Sequence, residues 1–156
     1  MRDENAVALW NQYVQARQQV EILNHRLFAE ERTMIPELIR RSLKDECLYA
    51  LEAAAMLPIE ERKELLPDLV AVASYAGAHL VRAQQLILSF PIDWLIQNIE
   101  AASEPLLEYG DAEEFRRILE LYSQLQPALT ARLAERASTH TNPEVRPAGE
   151  DFMSSK

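Results

Sequence analysis

The stretch NPEVRPA (Asn142–Ala148) has three weaker counterparts earlier in the chain: DECLYA (45–50), AHLVRA (78–83) and EEFRRI (113–118). Each contains an apolar residue near a predicted helix start, and in three of the four an arginine follows that residue directly. A recurring interval of 30 to 34 residues is typical of proteins built from repeated pairs of helices. We therefore expect the apolar residues to anchor successive helical pairs in a shared core. They are Leu48, Val81, Phe115 and Val145, spaced by 33, 34 and 30 residues.

The rest of the sequence also favours helices. Only three of the 156 residues are glycine, whereas average usage predicts about eleven. Sheet proteins use glycine in hairpins and bulges, so this shortage favours helices joined by short turns. Asp111 and Glu114 form a capping-box pattern, and Asn142 with Pro143 is predicted to open the last helix. No segment keeps the alternation of a strand, so the sequence predicts an all-α fold.

The NPEVRPA stretch resembles the HEAT-repeat pattern, in which the second helix of each pair begins with an Asp or Asn turn, an apolar residue, an arginine and a small residue. The resemblance covers about residues 34–155. It implies a HEAT-like solenoid, a right-handed α–α superhelix of about four helical hairpins, which we assign to residues 33–156. In this family the arginine usually braces the adjoining turn. The resemblance therefore implies a structural role for Arg82, Arg116 and Arg146.

Residues 1–32 are predicted to form one long N-terminal helix. Its apolar residues follow the heptad spacing of helices that pack against other helices. We call seven of them the seam: Ala6, Leu9, Tyr13, Ala16, Val20, Leu23 and Leu27. A second apolar edge consists of Val7, Trp10, Val14 and Phe28. Two roles fit this helix, a cap on the end of the repeat stack or a dimerisation helix that pairs with a second copy.

The net charge of −9 is unevenly distributed. Residues 1–44 contain seven Lys/Arg and six Asp/Glu, whereas residues 45–156 contain nine Lys/Arg and nineteen Asp/Glu. Nucleic-acid binding needs clustered positive charge, so we expect no nucleic-acid partner and instead a protein partner, with a basic one favoured. No apolar run reaches the ~20 residues of a membrane span. One cysteine cannot form an internal disulfide, so we expect a cytoplasmic protein with no membrane partner.

No catalytic or cofactor motif is recognisable in the sequence. Three isolated glycines cannot form a phosphate-binding loop. His25, His79 and His140 lie in different predicted elements and in no metal-binding motif. Cys47 follows two acidic residues that disfavour its thiolate, so we interpret it as a buried structural thiol. We therefore expect no catalytic residue, no cofactor and no metal site.

These patterns favour a non-catalytic protein–protein interaction module or scaffold, because stacked helical pairs create extended binding surfaces. The predicted protein contacts are Trp10, Tyr13 and Trp94. The HEAT resemblance also implies two alternatives. One is a bilin lyase or isomerase subunit that acts on phycobiliproteins, and the other is an excised repeat region of a bacterial signalling ATPase. HEAT-like DNA repair glycosylases use a basic concave face, which the acidic repeat region disfavours.

Overall fold

The computed structural model describes residues 2–30, 32–45, 48–75 and 77–154, with side chains from residue 5 onward. Within these ranges the chain forms ten helices and no strand, and 81% of the residues are helical. The predicted all-α fold class is therefore confirmed. The helices are α1 (Arg2–Glu30), α2 (Ile35–Lys44), α3 (Leu48–Met56), α4 (Ile59–Lys63), α5 (Leu66–Ala73), α6 (Leu80–Leu88), α7 (Ile92–Tyr109), α8 (Ala112–Ser123), α9 (Pro127–Ser138) and α10 (Arg146–Ser154).

The chain divides into two compact units, Met1–Leu38 and Ile39–Lys156. The first unit contains α1 and the beginning of α2. α1 is one continuous helix of 29 residues, as predicted from its spacing, and no glycine or proline interrupts it. Most of its large apolar side chains are exposed, among them Leu9, Trp10 and Leu23, while Val14 and Phe28 are half-buried.

The core of the second unit is built from one face of each of its main helices. α5 packs against α6, α7 and α8, while α8, α9 and α10 pack against one another. The inward residues of α8 follow the three- and four-residue spacing of an amphipathic helix. Burying each such side chain contributes about 1.5–3 kcal/mol, so this face fixes the position of α8. These residues, at most 1% exposed, are Phe115, Ile118, Leu119 and Tyr122.

Two local signals determine the boundary between α7 and α8. The Asp111 carboxylate accepts hydrogen bonds from the N–H groups of Glu113 and Glu114 at 2.8 and 3.0 Å. The Glu114 carboxylate accepts the Asp111 N–H at 2.9 Å, so the predicted capping box is confirmed. Gly110 ends α7, and a Cβ there would lie 2.6 Å from the Leu106 carbonyl oxygen. Only glycine permits this close approach.

Three of the four predicted anchors are at least partly buried. Phe115 and Val145 are fully buried, and Leu48 is half-buried. The prediction for Val81 is wrong, because this residue is 61% exposed. Ala83, two positions later, is buried instead. Two positions correspond to about 200° of rotation around a helix, so Val81 points away from the core that Ala83 joins.

The predicted start of the last helix is also wrong. α10 begins at Arg146, not at Asn142 and Pro143. The Asn142 side chain accepts the Glu144 N–H at 3.0 Å, and the Asn142 carbonyl accepts the Val145 N–H at 3.2 Å. Asn142 therefore closes a tight turn before the helix rather than capping it.

Candidate functional site

The second unit contains an open, mostly apolar groove of about 570 Å³. The groove lies between the end of α2, one face of α5, the turn before α6 and the C-terminal half of α7. Its volume falls within the range of about 300–1,000 Å³ that is usual for ligand sites. The apolar lining includes Leu43, Ala71, Val72, Leu80, Pro105 and Leu106.

The sequence of α5 explains why the groove is apolar. α5 reads LPDLVAVA and is apolar on nearly every side. Helices with two apolar faces usually have both faces covered. Ala71 and Val72 lie on the face that the core does not cover, where they are half-buried and line the groove. The face toward the core consists of Leu66, Leu69, Val70 and Ala73.

The polar side chains that border the groove include Asp68, Lys44 and His79. Asp68 accepts a hydrogen bond from the Arg40 Nε at 3.3 Å, so its charge is paired. Lys44 is exposed at the end of α2. His79 precedes α6, and its buried Nδ1 has no hydrogen-bond partner among the described residues. An imidazole nitrogen can donate or accept, so this atom can orient a group that enters the groove.

Two arginine–glutamate pairs join α7 and α9. Arg132 makes two hydrogen bonds to Glu100, at 3.1 and 2.8 Å, and Arg136 makes two to Glu104, at 2.7 and 2.9 Å. The four-residue step on both helices places the pairs one turn apart. The hydrogen bond from Arg136 lowers the pKa of Glu104, so the pair stays ionised. We interpret these pairs as braces between helices.

A buried tyrosine lines a small cavity of about 110 Å³ beside these pairs. The Tyr122 hydroxyl donates to the Ile99 carbonyl at 3.4 Å, and the Ser103 hydroxyl donates to the same carbonyl at 2.8 Å. Burial raises the pKa of Tyr122 to about 12. The phenol therefore keeps its proton near neutral pH, which suits a structural hydrogen bond better than acid–base catalysis.

Two arginines brace turns of the second unit. Arg146 donates from Nε to the His140 carbonyl at 2.8 Å, as the HEAT resemblance implies. Arg62, which the sequence pattern did not single out, donates from Nη2 to the carbonyls of Ala55 and Leu57 at 2.7 and 2.9 Å. Each guanidinium satisfies carbonyl groups that a helix end or turn leaves without backbone partners.

The other two arginines of the repeated stretches, Arg82 and Arg116, connect neighbouring helices. Arg82 on α6 pairs with Glu52 on α3 at 3.1 Å. Arg116 on α8 pairs with Asp151 on α10 at 3.2 Å. These contacts are structural, as predicted, but they join neighbouring helices, whereas Arg146 braces the adjoining turn. Both side chains are long enough to bridge neighbouring helices.

The predicted protein-contact residues occupy different surroundings. Trp10 and Tyr13 are 63% and 55% exposed on α1, with ring centroids 5.6 Å apart. Trp94 is half-buried on α7. The centroid of its ring lies 5.2 Å from the centroid of the Phe90 ring and 5.2 Å from the Lys63 Nζ. Trp94 does not line the groove. The role of all three in partner contact stays a prediction.

The remaining candidates from the sequence are the histidines and Cys47. Within the described ranges, no three His, Cys, Asp or Glu side chains are grouped to hold a metal ion. His140 packs its ring against Phe115 at 5.2 Å and accepts the Asn142 N–H at 3.1 Å. Cys47 lies outside the described residues, so its predicted burial stays a prediction.

The groove itself was not predicted from the sequence. Its only sequence signal is the run Leu69–Val72, which supplies more apolar residues than one core-facing stripe needs. The lining comes from four separate elements, and single-helix periodicity cannot show which of their faces meet.

No helix in the described part of the chain combines the length and hydropathy required to cross a bilayer. Comparisons of the chain with protein-family models, with curated proteins and with solved structures gave no match. The HEAT resemblance therefore depends on the repeated stretches and their spacing alone.

Proposed function

We propose that this protein is a non-catalytic interaction module whose second unit binds an apolar segment of a protein partner in the groove. The observation that carries this proposal is the half-buried apolar face of α5, where Ala71 and Val72 line a groove of about 570 Å³. Contiguous exposed apolar surface bordered by polar groups is typical of interaction sites. His79 and Lys44 supply the polar border that would set the orientation of the bound segment.

The charge of the second unit favours a segment with basic flanks. Residues 39–156 contain 12 Lys/Arg and 19 Asp/Glu, a net charge of −7. A field of this sign accelerates the approach of positively charged partners and disfavours acidic ones. The groove would then bind the apolar side chains of the segment, while the net negative charge of the second unit would attract its lysines and arginines.

We further propose that the second unit is a HEAT-like stack of helical pairs. The charged cross-links support this arrangement, because they join residues separated by roughly one repeat length. Arg82 and Glu52 are 30 positions apart, and Arg132 and Glu100 are 32 positions apart. These separations are close to the 30-residue interval between the two fully buried anchors, Phe115 and Val145. In a stack of repeats, each unit contacts its neighbour in this way.

A matched pair of variants tests binding in the groove. Val72→Arg places a charge inside it, whereas Ile92→Arg places the same charge at a half-exposed position outside it. Proteins captured by the wild type from native lysate would be identified by mass spectrometry, and the bound segment would be synthesised as a peptide. We expect Val72→Arg to weaken peptide binding at least tenfold, and Ile92→Arg to leave it unchanged. Equal affinity of all three proteins would overturn the proposal.

Ligand screening separates this proposal from the tetrapyrrole alternative. Thermal unfolding of the wild type and Val72→Arg would be followed with added tetrapyrroles, nucleotides and DNA. We expect no stabilisation by any of them, since binding to the native state alone would raise the melting temperature. Stabilisation of the wild type by a tetrapyrrole, lost in Val72→Arg, would favour the bilin lyase or isomerase function over peptide binding.

A further inference from the structure

None of the seven seam residues of α1 is buried within the first unit. The five large side chains of the seam are between 37% and 58% exposed, and both of its alanines are exposed as well. Solvent-exposed helices rarely keep a three-heptad apolar spacing unless another helix covers it. The large residues are Leu9, Tyr13, Val20, Leu23 and Leu27.

We propose that α1 pairs with α1 of a second copy of this chain in an antiparallel two-helix contact. In one antiparallel register, the residue numbers of each facing pair add up to 29, so each seam alanine of this segment faces a large side chain of the second copy. This register gives three kinds of layer, each present twice by symmetry. They pair Ala6 with Leu23, Leu9 with Val20, and Tyr13 with Ala16 of the second copy.

The sizes of the seam residues favour this register over a parallel one. A parallel pair in register would place Ala6 against Ala6 and Ala16 against Ala16, leaving gaps, and would place Tyr13 against Tyr13. Voids lose dispersion contacts, and bulky pairs force side chains from their preferred rotamers. In the antiparallel register each alanine instead faces a leucine or a tyrosine, so no layer pairs two alanines or two tyrosines.

Charge does not oppose the pairing of two copies. Residues 5–28 carry only Arg17, Glu21 and Arg26 as charged residues, a net of +1. Two copies of this segment therefore repel each other weakly. A contact between two copies of the second unit, each with a net charge of −7, would meet much stronger repulsion.

The size of the contact predicts a reversible dimer. The paired segment from Ala6 to Leu23 is about 27 Å long and about 10 Å wide, a footprint of a few hundred Å² per helix. A standard stable interface buries about 800 Å² per partner. The contact is smaller than that, so dimerisation should depend on concentration over the micromolar range.

Neighbouring residues of α1 provide a matched test of this contact. Leu23 lies in the seam, whereas Ile22 lies outside it and is 61% exposed. Sedimentation equilibrium of the full chain should show the mass rising from 17.9 kDa towards twice that value as concentration increases. Leu23→Asp should raise the dimer dissociation constant at least tenfold, and Ile22→Asp should leave it unchanged. A monomer at all concentrations, or equal effects of the two variants, would overturn the proposal.

Disulfide crosslinking tests the orientation of the two helices. In a Cys47→Ser background with helicity checked by circular dichroism, Ala6→Cys and Leu23→Cys would each be oxidised alone and also as an equimolar mixture of the two reduced proteins. A disulfide requires Cα atoms within about 7 Å. The antiparallel register predicts a covalent dimer in the mixture and almost none with either variant alone. A covalent dimer of Ala6→Cys alone would overturn the antiparallel pairing.

Discussion

α1 and the second unit have similar compositions but opposite patterns of burial. In α1, 14 of 29 residues are apolar, 48%, which equals the apolar fraction of the whole chain. No side chain among residues 5–30 is buried, whereas α5, α8 and α9 each bury four or more. Composition therefore does not determine burial. The short helices of the second unit cover one another, while a single long helix needs a partner to cover its apolar side.

A leucine-to-alanine substitution should lower the free energy of unfolding far more in the second unit than in α1. Leu119 is fully buried on α8, and Leu9 is 58% exposed on α1. Leu119→Ala should lower the free energy of unfolding by about 2–5 kcal/mol, because it removes contacts and leaves a cavity. Leu9→Ala should change it by less than about 0.5 kcal/mol. Urea unfolding followed by circular dichroism at low protein concentration measures both, and similar losses would contradict the comparison.

Alkaline pH should weaken the second unit through Tyr122. The folded state raises the pKa of Tyr122 from 10.0 to about 12, so the unfolded chain loses this proton first as the pH rises. Stability contributed by the neutral phenol is complete below pH 10 and should fall by about 2–3 kcal/mol towards pH 12. Unfolding of the wild type and Tyr122→Phe across this range measures the loss. An identical pH dependence in both proteins would rule out this role for Tyr122.

Close packing between α9 and α10 should make any larger residue at Gly149 destabilising. A Cβ at Gly149 would lie 2.5 Å from the Ser138 nitrogen and even closer to the Ala134 carbonyl oxygen. Gly149→Ala should therefore cost about 1–3 kcal/mol, since backbone must move to admit the methyl group. Gly77 has no atom within 4 Å of the same position, and Gly77→Ala should be neutral or stabilising by up to about 1 kcal/mol. Thermal melts of both variants decide this, and equal melting temperatures would count against the close packing.

The smallest predicted difference is in the coupling energy of two ion pairs, one in the second unit and one on α1. Arg136 and Glu104 form a bidentate pair at 2.7 and 2.9 Å between α7 and α9. A double-mutant cycle to alanine should give a coupling of about 0.2–1 kcal/mol that weakens in 1 M salt. Arg26 and Glu30 on α1 approach only to 3.7 Å and are both mostly exposed. Their cycle should give no measurable coupling, and a larger value there than for Arg136 would reverse the comparison.

Features set by local sequence could be predicted. The spacing of the seam predicted the continuous α1, and the Asp111–Glu114 capping box predicted the start of α8. Both depend on residues within one helix and its first turn. Gly110 also ends α7 as its position suggests.

Features that depend on the rotation of a short helix could not be predicted. α6 has nine residues with apolar side chains on several sides, so its periodicity does not say whether Val81 or Ala83 faces the core. The groove needs α2, α5, α6 and α7 to meet, which is a tertiary arrangement that no single repeat determines. The partners of Arg82 and Arg116 are likewise distant in the sequence.

The central comparison is between the second unit, which buries its own core, and α1, which we propose to pair with a second copy. Hydrogen–deuterium exchange tests it most directly. Amides of Val7–Leu27 and of α5, α8 and α9 would be followed at a low and a high protein concentration. We predict that protection in α1 rises with concentration, whereas protection in the second unit stays the same. Protection in α1 that is strong and independent of concentration would contradict this account.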